Sequence, residues 1–303
     1  MNHYAIQTQE LTKCFGQKRA LNALNLNIPK AGVNALVGAN GAGKSTLFRI
    51  LLGLMAPSSG SATILGQDSN KLSGEHRSRI GFVNEEHTLP EWLKVGEILH
   101  MHKHLYPKWH QQSYDDVIGH FNVSSNQKIS QLSRGERAGV NLALNMAQSP
   151  ELLILDEPTL GLDIVAKQAF LESLLFAQQL SDMTIVYCSH HMEEVERVAD
   201  NLFILEFGEL KHASTPDDFR ERVQYWVADF GQQRPQIEMP GLLQSRNIEG
   251  QEHIMVLDQD ESFGAWLQSQ GATFTQNVPI SLEKAVNGFL SKNHISNQKQ
   301  EVA

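Results

Sequence analysis

The sequence predicts an α/β protein: a mostly parallel sheet covered by helices, with a small α+β appendage at its C-terminal end. Two observations predict the main body. The short apolar runs Val33–Val37, Ile80–Val83, Leu152–Leu155 and Thr184–Tyr187 are each separated from the next by a helical pattern. Strands that alternate with helices assemble parallel sheets. A glycine-rich turn, Gly38 to Gly43, joins the first run to a segment with Leu47, Ile50, Leu51 and Leu54 at helical spacing. That is the strand–loop–helix order of one α/β unit. A change of composition near Ser214-Thr215-Pro216 marks the appendage, so the domains are read as 1–215 and 216–303.

Each element has its own signal. Ala5–Thr8 and Leu24–Ile28 alternate apolar with polar, the period of a half-buried strand. Gly32 opens the buried run at Val33, and Gly53 and Pro57 end the first helix. A second helix is expected from about Pro90 to His104, with the proline in its first turn. Residues 107–128 are polar and read as another helix with loops. Beyond residue 216 we expect a short helix (Asp217–Arg222), strands at Tyr225–Phe230, Ile254–Leu257 and Ala272–Thr275, and a helix at Leu282–Leu290. The polar ending HISNQKQEVA is expected to fray.

Composition narrows the function. The chain has 303 residues, 25 Lys plus Arg against 34 Asp plus Glu, and a net charge of −9. An acidic chain is poorly suited to non-specific nucleic-acid binding, which needs a basic surface, so no nucleic acid is expected as a partner. No run of ~18 apolar residues suggests a membrane span. The N-terminus lacks the basic and apolar regions of a secretory signal. The two cysteines, Cys14 and Cys188, lie far apart and are expected to be free thiols in a reducing cytosol.

The strongest motif is Gly38-Ala39-Asn40-Gly41-Ala42-Gly43-Lys44-Ser45. It matches G-x-x-x-x-G-K-S/T between a strand and a helix. The glycines let backbone N–H groups curl around phosphate oxygens, and the helix N-terminus adds favourable partial charge. Lys44 supplies a point charge to the β- and γ-phosphates, and Ser45 a hydroxyl to Mg²⁺. A second motif ends the run Leu152–Leu155 in two carboxylates, Asp156 and Glu157. Strand C-termini in such sheets face the ligand crevice, where one acid can hold Mg²⁺ and its neighbour polarise water. Between them, Leu132-Ser133-Arg134-Gly135-Glu136 precedes a helical pattern. It reads equally as a helix cap or as a second phosphate-binding helix end.

The phosphate loop, Leu132–Glu136, Leu155-Asp156-Glu157, Gly161-Leu162-Asp163 and Ser189-His190 follow one another in an order that resembles the nucleotide-binding subunit of an ATP-binding cassette (ABC) transporter over about residues 1–215. The resemblance implies the P-loop fold of that family, with antiparallel N-terminal strands and a helical subdomain at about 86–150. It implies a Mg²⁺-dependent ATPase with ATP and Mg²⁺ as cofactors. Phe15 matches an aromatic that stacks on adenine, and Gly38 through Thr46 (Ala39, Asn40, Gly41, Ala42, Gly43, Lys44 and Ser45 included) the loop that holds the phosphates. Ser133, Gly135 and Glu136 match the signature motif, which contacts ATP held by the opposite subunit. Asp156 and Ser45 match the Mg²⁺ side, and Glu157 the general base. Asp163 matches an aspartate of the D-loop, and His190 a histidine that senses the γ-phosphate. His191 follows it, and strand alternation puts the two on opposite faces.

Two departures from the family pattern stand out. Glu85 occupies the usual glutamine position and is read as a nucleotide- and metal-side group. Arg134 and Glu136 replace a glycine and a glutamine of the signature; Arg134 is expected to point away from phosphate, with a phosphate or partner contact as the alternative. Glu85, Tyr106-Pro107-Lys108-Trp109 and Ser281–Ala285 resemble a branch serving separate permeases of the ABC-2 exporter type. The implied partners are an integral membrane permease and a second nucleotide-binding subunit, identical or different. The implied location is cytoplasmic, peripheral on the membrane through the permease. The alternatives are a soluble ATPase of this type acting on ribosomes or another macromolecule, and a non-catalytic ATP switch. His100 and His104 stand one helical turn apart, but no acid or cysteine at ligand spacing completes a metal set with them, His102 or His110.

Overall fold

A computed structural model describes residues 3–179, 182–231, 239–260 and 262–300. The chain forms two compact units: Met1–His190 with Arg197–Ala213, and His191–Glu196 with Ser214–Ala303.

The first unit opens with β1 (Tyr4–Phe15) and β2 (Lys18–Pro29), an antiparallel pair turning tightly at Gly16. Both are longer than the sequence pattern suggests, because the alternation is interrupted by register shifts along the pair. β3 (Gly32–Val37) is buried from Val33 onward, as expected of a central strand covered on both faces; its polar Asn34 donates to the Ile185 carbonyl at 3.3 Å and accepts from Asn201 at 3.1 Å. α1 (Lys44–Leu51) buries Leu47, Phe48, Ile50 and Leu51. It ends as expected at Gly53: the Gly53 N–H donates to the Ile50 carbonyl and the Leu54 N–H to the Arg49 carbonyl, the Schellman arrangement. Leu54 is therefore not part of the apolar stripe. It lies past the helix end and is 68% exposed.

β4 (Ser59–Ile64) and β5 (Gln67–Asp68) complete a sheet of order β2-β1-β4-β5. α2 (Gly74–Ser78) leads to β6 (Ile80–Val83). The helix expected from Pro90 begins later, as α3 (Val95–Leu105). The Glu97 carboxylate accepts from the Lys94 N–H at 2.7 Å, and this back-bond sets the start. Pro90 lies in a turn ahead of it. α4 (Gln111–Ile118), α5 (Arg134–Ala147), β7 (Leu152–Asp156), α6 (Ile164–Gln179), β8 (Thr184–Cys188), α7 (Met192–Val198), β9 (Asn201–Glu206) and β10 (Glu209–Ser214) follow. The main sheet has the order β10-β9-β3-β8-β7-β6, parallel at β9–β3–β8–β7–β6. The C-terminal ends of β3, β6, β7 and β8 thus share one edge.

His87, between β6 and α3, is fully buried, and neither ring nitrogen makes a hydrogen bond of normal geometry. Burial is the main cause of its pKa of about 4. Arg134 and Arg137 lower it further, while the Pro158 carbonyl and Glu86 oppose the shift. Unfolding restores a value near 6.5, so the unfolded chain binds the proton first as pH falls. The stabilisation is complete above pH 6.5 and declines by about 3 kcal/mol toward pH 4. His87→Asn, which tolerates the φ of +48°, should lack this component. Urea midpoints measured from pH 7 to 4 should show wild type losing more stability than the variant; parallel profiles would refute the assignment.

The second unit contains α8 (Pro216–Arg222), capped by Thr215, then β11 (Val223–Asp229), β12 (Leu242–Ile248), β13 (Gln251–Leu257), α9 (Phe263–Ser269), β14 (Phe274–Asn277) and α10 (Leu282–Gln300). Its antiparallel sheet has the order β12-β13-β11-β14. Trp226, Ile254, Val256, Phe263 and Leu267 form a core there. Three expectations are corrected. β14 starts at Phe274, not Ala272, because Ala272 is held by the end of α9 through its N–H to the Leu267 carbonyl. β12 carries no strong apolar period, and α9 only a single turn of one at Phe263, Trp266 and Leu267; both are absent from the sequence reading. α10 continues past Leu290 through most of the ending expected to fray; residues 301–303 lie outside the described residues.

Candidate functional site

The shared strand edge forms an open cleft of about 450 Å³, lined by Phe15, Lys18, Ala20, Asn40 through Thr46, Glu85, Asp156 and Glu157. Gly43 shapes its floor. It has φ +105°, and a Cβ there would lie 2.5 Å from the Ala20 carbonyl oxygen and 2.8 Å from Leu21. Only glycine fits this N-cap without displacing β2. The Lys44 side chain is nearly buried, and its Nζ donates to the Gly38 carbonyl at 2.6 Å and the Ala39 carbonyl at 3.4 Å. The loop thus orients its own cation.

Asp156 ends β7 directly opposite Cys188 on β8. Burial raises its pKa, while hydrogen bonds from the Cys188 thiol and the Ser45 hydroxyl, and the charge of Lys44, favour the carboxylate. Burial likewise pushes the Cys188 thiol up, so that it serves as a donor. Glu157 follows in the left-handed region at φ +50°, a conformation that costs a non-glycine residue about 1–3 kcal/mol. Its N–H donates to the Cys188 carbonyl at 3.0 Å. Its Oε2 lies 2.8 Å from His190 Nδ1 and accepts from the His190 N–H at 3.4 Å. The chain reversal therefore leaves Glu157 lining the cleft, paired with His190.

Phe15 also lines the cleft and is half-exposed, its ring centroid 5.4 Å from Lys13 Nζ. Ser133, Gly135, Glu136 and Asp163 do not line this chain's cleft. Ser133 and Glu136 form a reciprocal capping box on α5, at 3.2 and 2.7 Å, so the cap reading of this segment holds. Asp163 accepts from the Ala166 N–H at 2.9 Å and caps α6. His104 Nδ1 faces the His100 carbonyl at 2.8 Å, a bond within the helix itself. Sequence reasoning missed Cys188, whose place before Ser189-His190 at a strand end was an available signal. It also missed Lys18 and Ala20, which carry no motif.

A sequence model of the family described as "ABC transporter" matches residues 21–160. Over 225 residues the chain is 31% identical to the linearmycin resistance ATP-binding protein LnrL of Bacillus subtilis (strain 168), an alignment covering 72% of this chain and 71% of that protein. The chain belongs to the ABC transporter family. This ABC protein is also 33% identical over 214 residues to the Nod factor export ATP-binding protein I of Rhizobium sp. (strain N33), covering 69% and 70% of the two chains. Its fold matches a solved ATP-binding subunit of an ABC transporter with a TM-score of 0.64 and 26% identity, over 72% of this chain and 92% of that one. The ABC protein accordingly has the P-loop ATPase fold and the ATPase activity of its family.

Proposed function

We propose that this chain is the ATP-hydrolysing subunit of a membrane exporter whose permease is a separate polypeptide. Glu157 carries the reading: a carboxylate beside the phosphate loop, paired with an imidazole, can take a proton from attacking water. In this role His190 orients Glu157, Lys44 holds the β- and γ-phosphates, and Phe15 stacks on adenine. Residues 1–215 form the ATP-binding domain, and 216–303 an accessory domain. Ser133, Gly135 and Glu136 of a second such subunit, identical or different, close on the γ-phosphate, with Asp163 beside them.

The donor set suits Mg²⁺. Among the described residues, no three His, Cys, Asp or Glu side chains converge to hold a metal by themselves. Mg²⁺ is typically held by one or two carboxylates together with substrate phosphates and water. Ser45 and Asp156 would hold it, with Glu85 on the adjoining wall. When bound, Mg²⁺ neutralises charge on the transferring phosphate.

No helix among the described residues is long and apolar enough to cross a membrane; in this reading a separate permease carries the cargo. Trp92, Met101 and Leu105 are exposed apolar residues in and just before α3 and offer it a surface. The export direction is supported by the likeness to the rhizobial Nod factor export ATP-binding protein I. In this reading the chain sits on the cytoplasmic face of the membrane. The test is a pull-down of tagged Glu157→Gln protein with ATP and Mg²⁺ from detergent-solubilised native membranes, read by mass spectrometry. A co-purifying multi-span protein is expected. Recovery of ribosomes instead, with membrane complexes intact, would favour the soluble-ATPase alternative.

A further inference from the structure

Arg134 is the first residue of α5. A cation there opposes the helix dipole, which favours acids in the first turn. The capping box already satisfies this helix end without it. The side chain is directed elsewhere. Its Nη2 donates to the backbone carbonyl of Glu85 at 3.2 Å. Its guanidinium also lies along Gly161: a Cβ at Gly161, where φ is +71°, would stand 2.8 Å from Nη1, 3.0 Å from Cζ and 3.3 Å from Nε. One planar group therefore touches the turn after β6 and the segment Gly161-Leu162-Asp163 while anchored on the signature helix. Glu85 lines the nucleotide cleft. Its turn is closed internally by Asn84, whose side chain bonds Thr88 and Glu86. Arg134 links that closed turn to α5.

We propose that Arg134 is a positioning residue that ties the Glu85 turn and the Gly161–Asp163 segment to the start of the signature helix, and so sets Glu85 on its wall of the cleft. The consequence for metal binding rests on the reading of Glu85 as a metal-side group. A lysine could place a charge near the Glu85 carbonyl, but it lacks the planar fork that meets both segments.

Amide hydrogen exchange on the full chain tests the positioning directly. In Arg134→Ala, amides 85–88 and 161–163 should exchange several-fold faster, with those of 138–147 unchanged; Arg134→Lys should be intermediate. Unchanged exchange at 85–88 would overturn the proposal. Mn²⁺ affinity, measured by electron paramagnetic resonance with ATP on the Glu157→Gln protein, tests the consequence. Arg134→Ala should weaken it several-fold when Glu85 is present and have no further effect beside Glu85→Ala. An equal loss in both backgrounds would overturn the route through Glu85. If Glu85→Ala alone leaves Mn²⁺ affinity intact, the metal reading of Glu85 fails, and the exchange result decides Arg134 on its own.

Discussion

Replacing Glu157 by Gln is expected to lower kcat for ATP hydrolysis by about 10³-fold, within the range for losing a positioned general base, while ATP still binds. The substitution keeps size and hydrogen-bonding shape, so the chain reversal at φ +50° and the backbone bond to Cys188 should survive. What disappears is the anionic oxygen 2.8 Å from His190 Nδ1, and with it the acceptor for a proton from water. Steady-state phosphate release measures the loss. Size-exclusion chromatography with ATP and Mg²⁺ should show the variant accumulating as a dimer that wild type forms only transiently. Wild-type turnover, after a check for contaminating ATPase, would remove Glu157 from the chemistry.

Lys44→Ala should act a step earlier. Removing a cation that bonds phosphate costs about 1.5–3 kcal/mol for each charged hydrogen bond, so ATP affinity should fall roughly 10²-fold. The lysine also holds the Gly38 and Ala39 carbonyls, so the variant should be modestly less stable without nucleotide. A thermal-shift titration separates the two effects. Wild type should gain stability with rising ATP and Mg²⁺ by mass action, and Lys44→Ala should start lower and need roughly 10²-fold more ATP for the same gain. A normal ATP-dependent shift in the variant would contradict the phosphate role. Together the two substitutions divide binding from hydrolysis.

Legibility differed between parts of the molecule for physical reasons. The loop from Gly38 to Ser45 could be read because close backbone approach restricts which residues fit, as the crowding at Gly43 shows. β3, β7 and β8 were legible because burial on both faces demands a largely apolar run. β12 was not. It is largely exposed and carries the polar stretch Gln244–Asn247, so little in it reports pairing. Its hairpin signal was there to be read in Glu249-Gly250, both at positive φ between two strands. The start of α3 was misplaced because a proline is permitted in a first turn but does not require one, and the Glu97 back-bond decided the matter.

The sequence by itself determined the α/β class, the phosphate loop, the paired acids at the end of β7, and the family to which they belong. These are local patterns, set by backbone geometry and burial within one element. Only the tertiary structure decided how distant segments serve one another. It opposed Cys188 to Asp156, turned Glu157 onto His190, and brought Arg134 to Glu85 and Gly161. Those relations depend on strand register and on where a long side chain finds its partner, and residue spacing along the chain encodes neither.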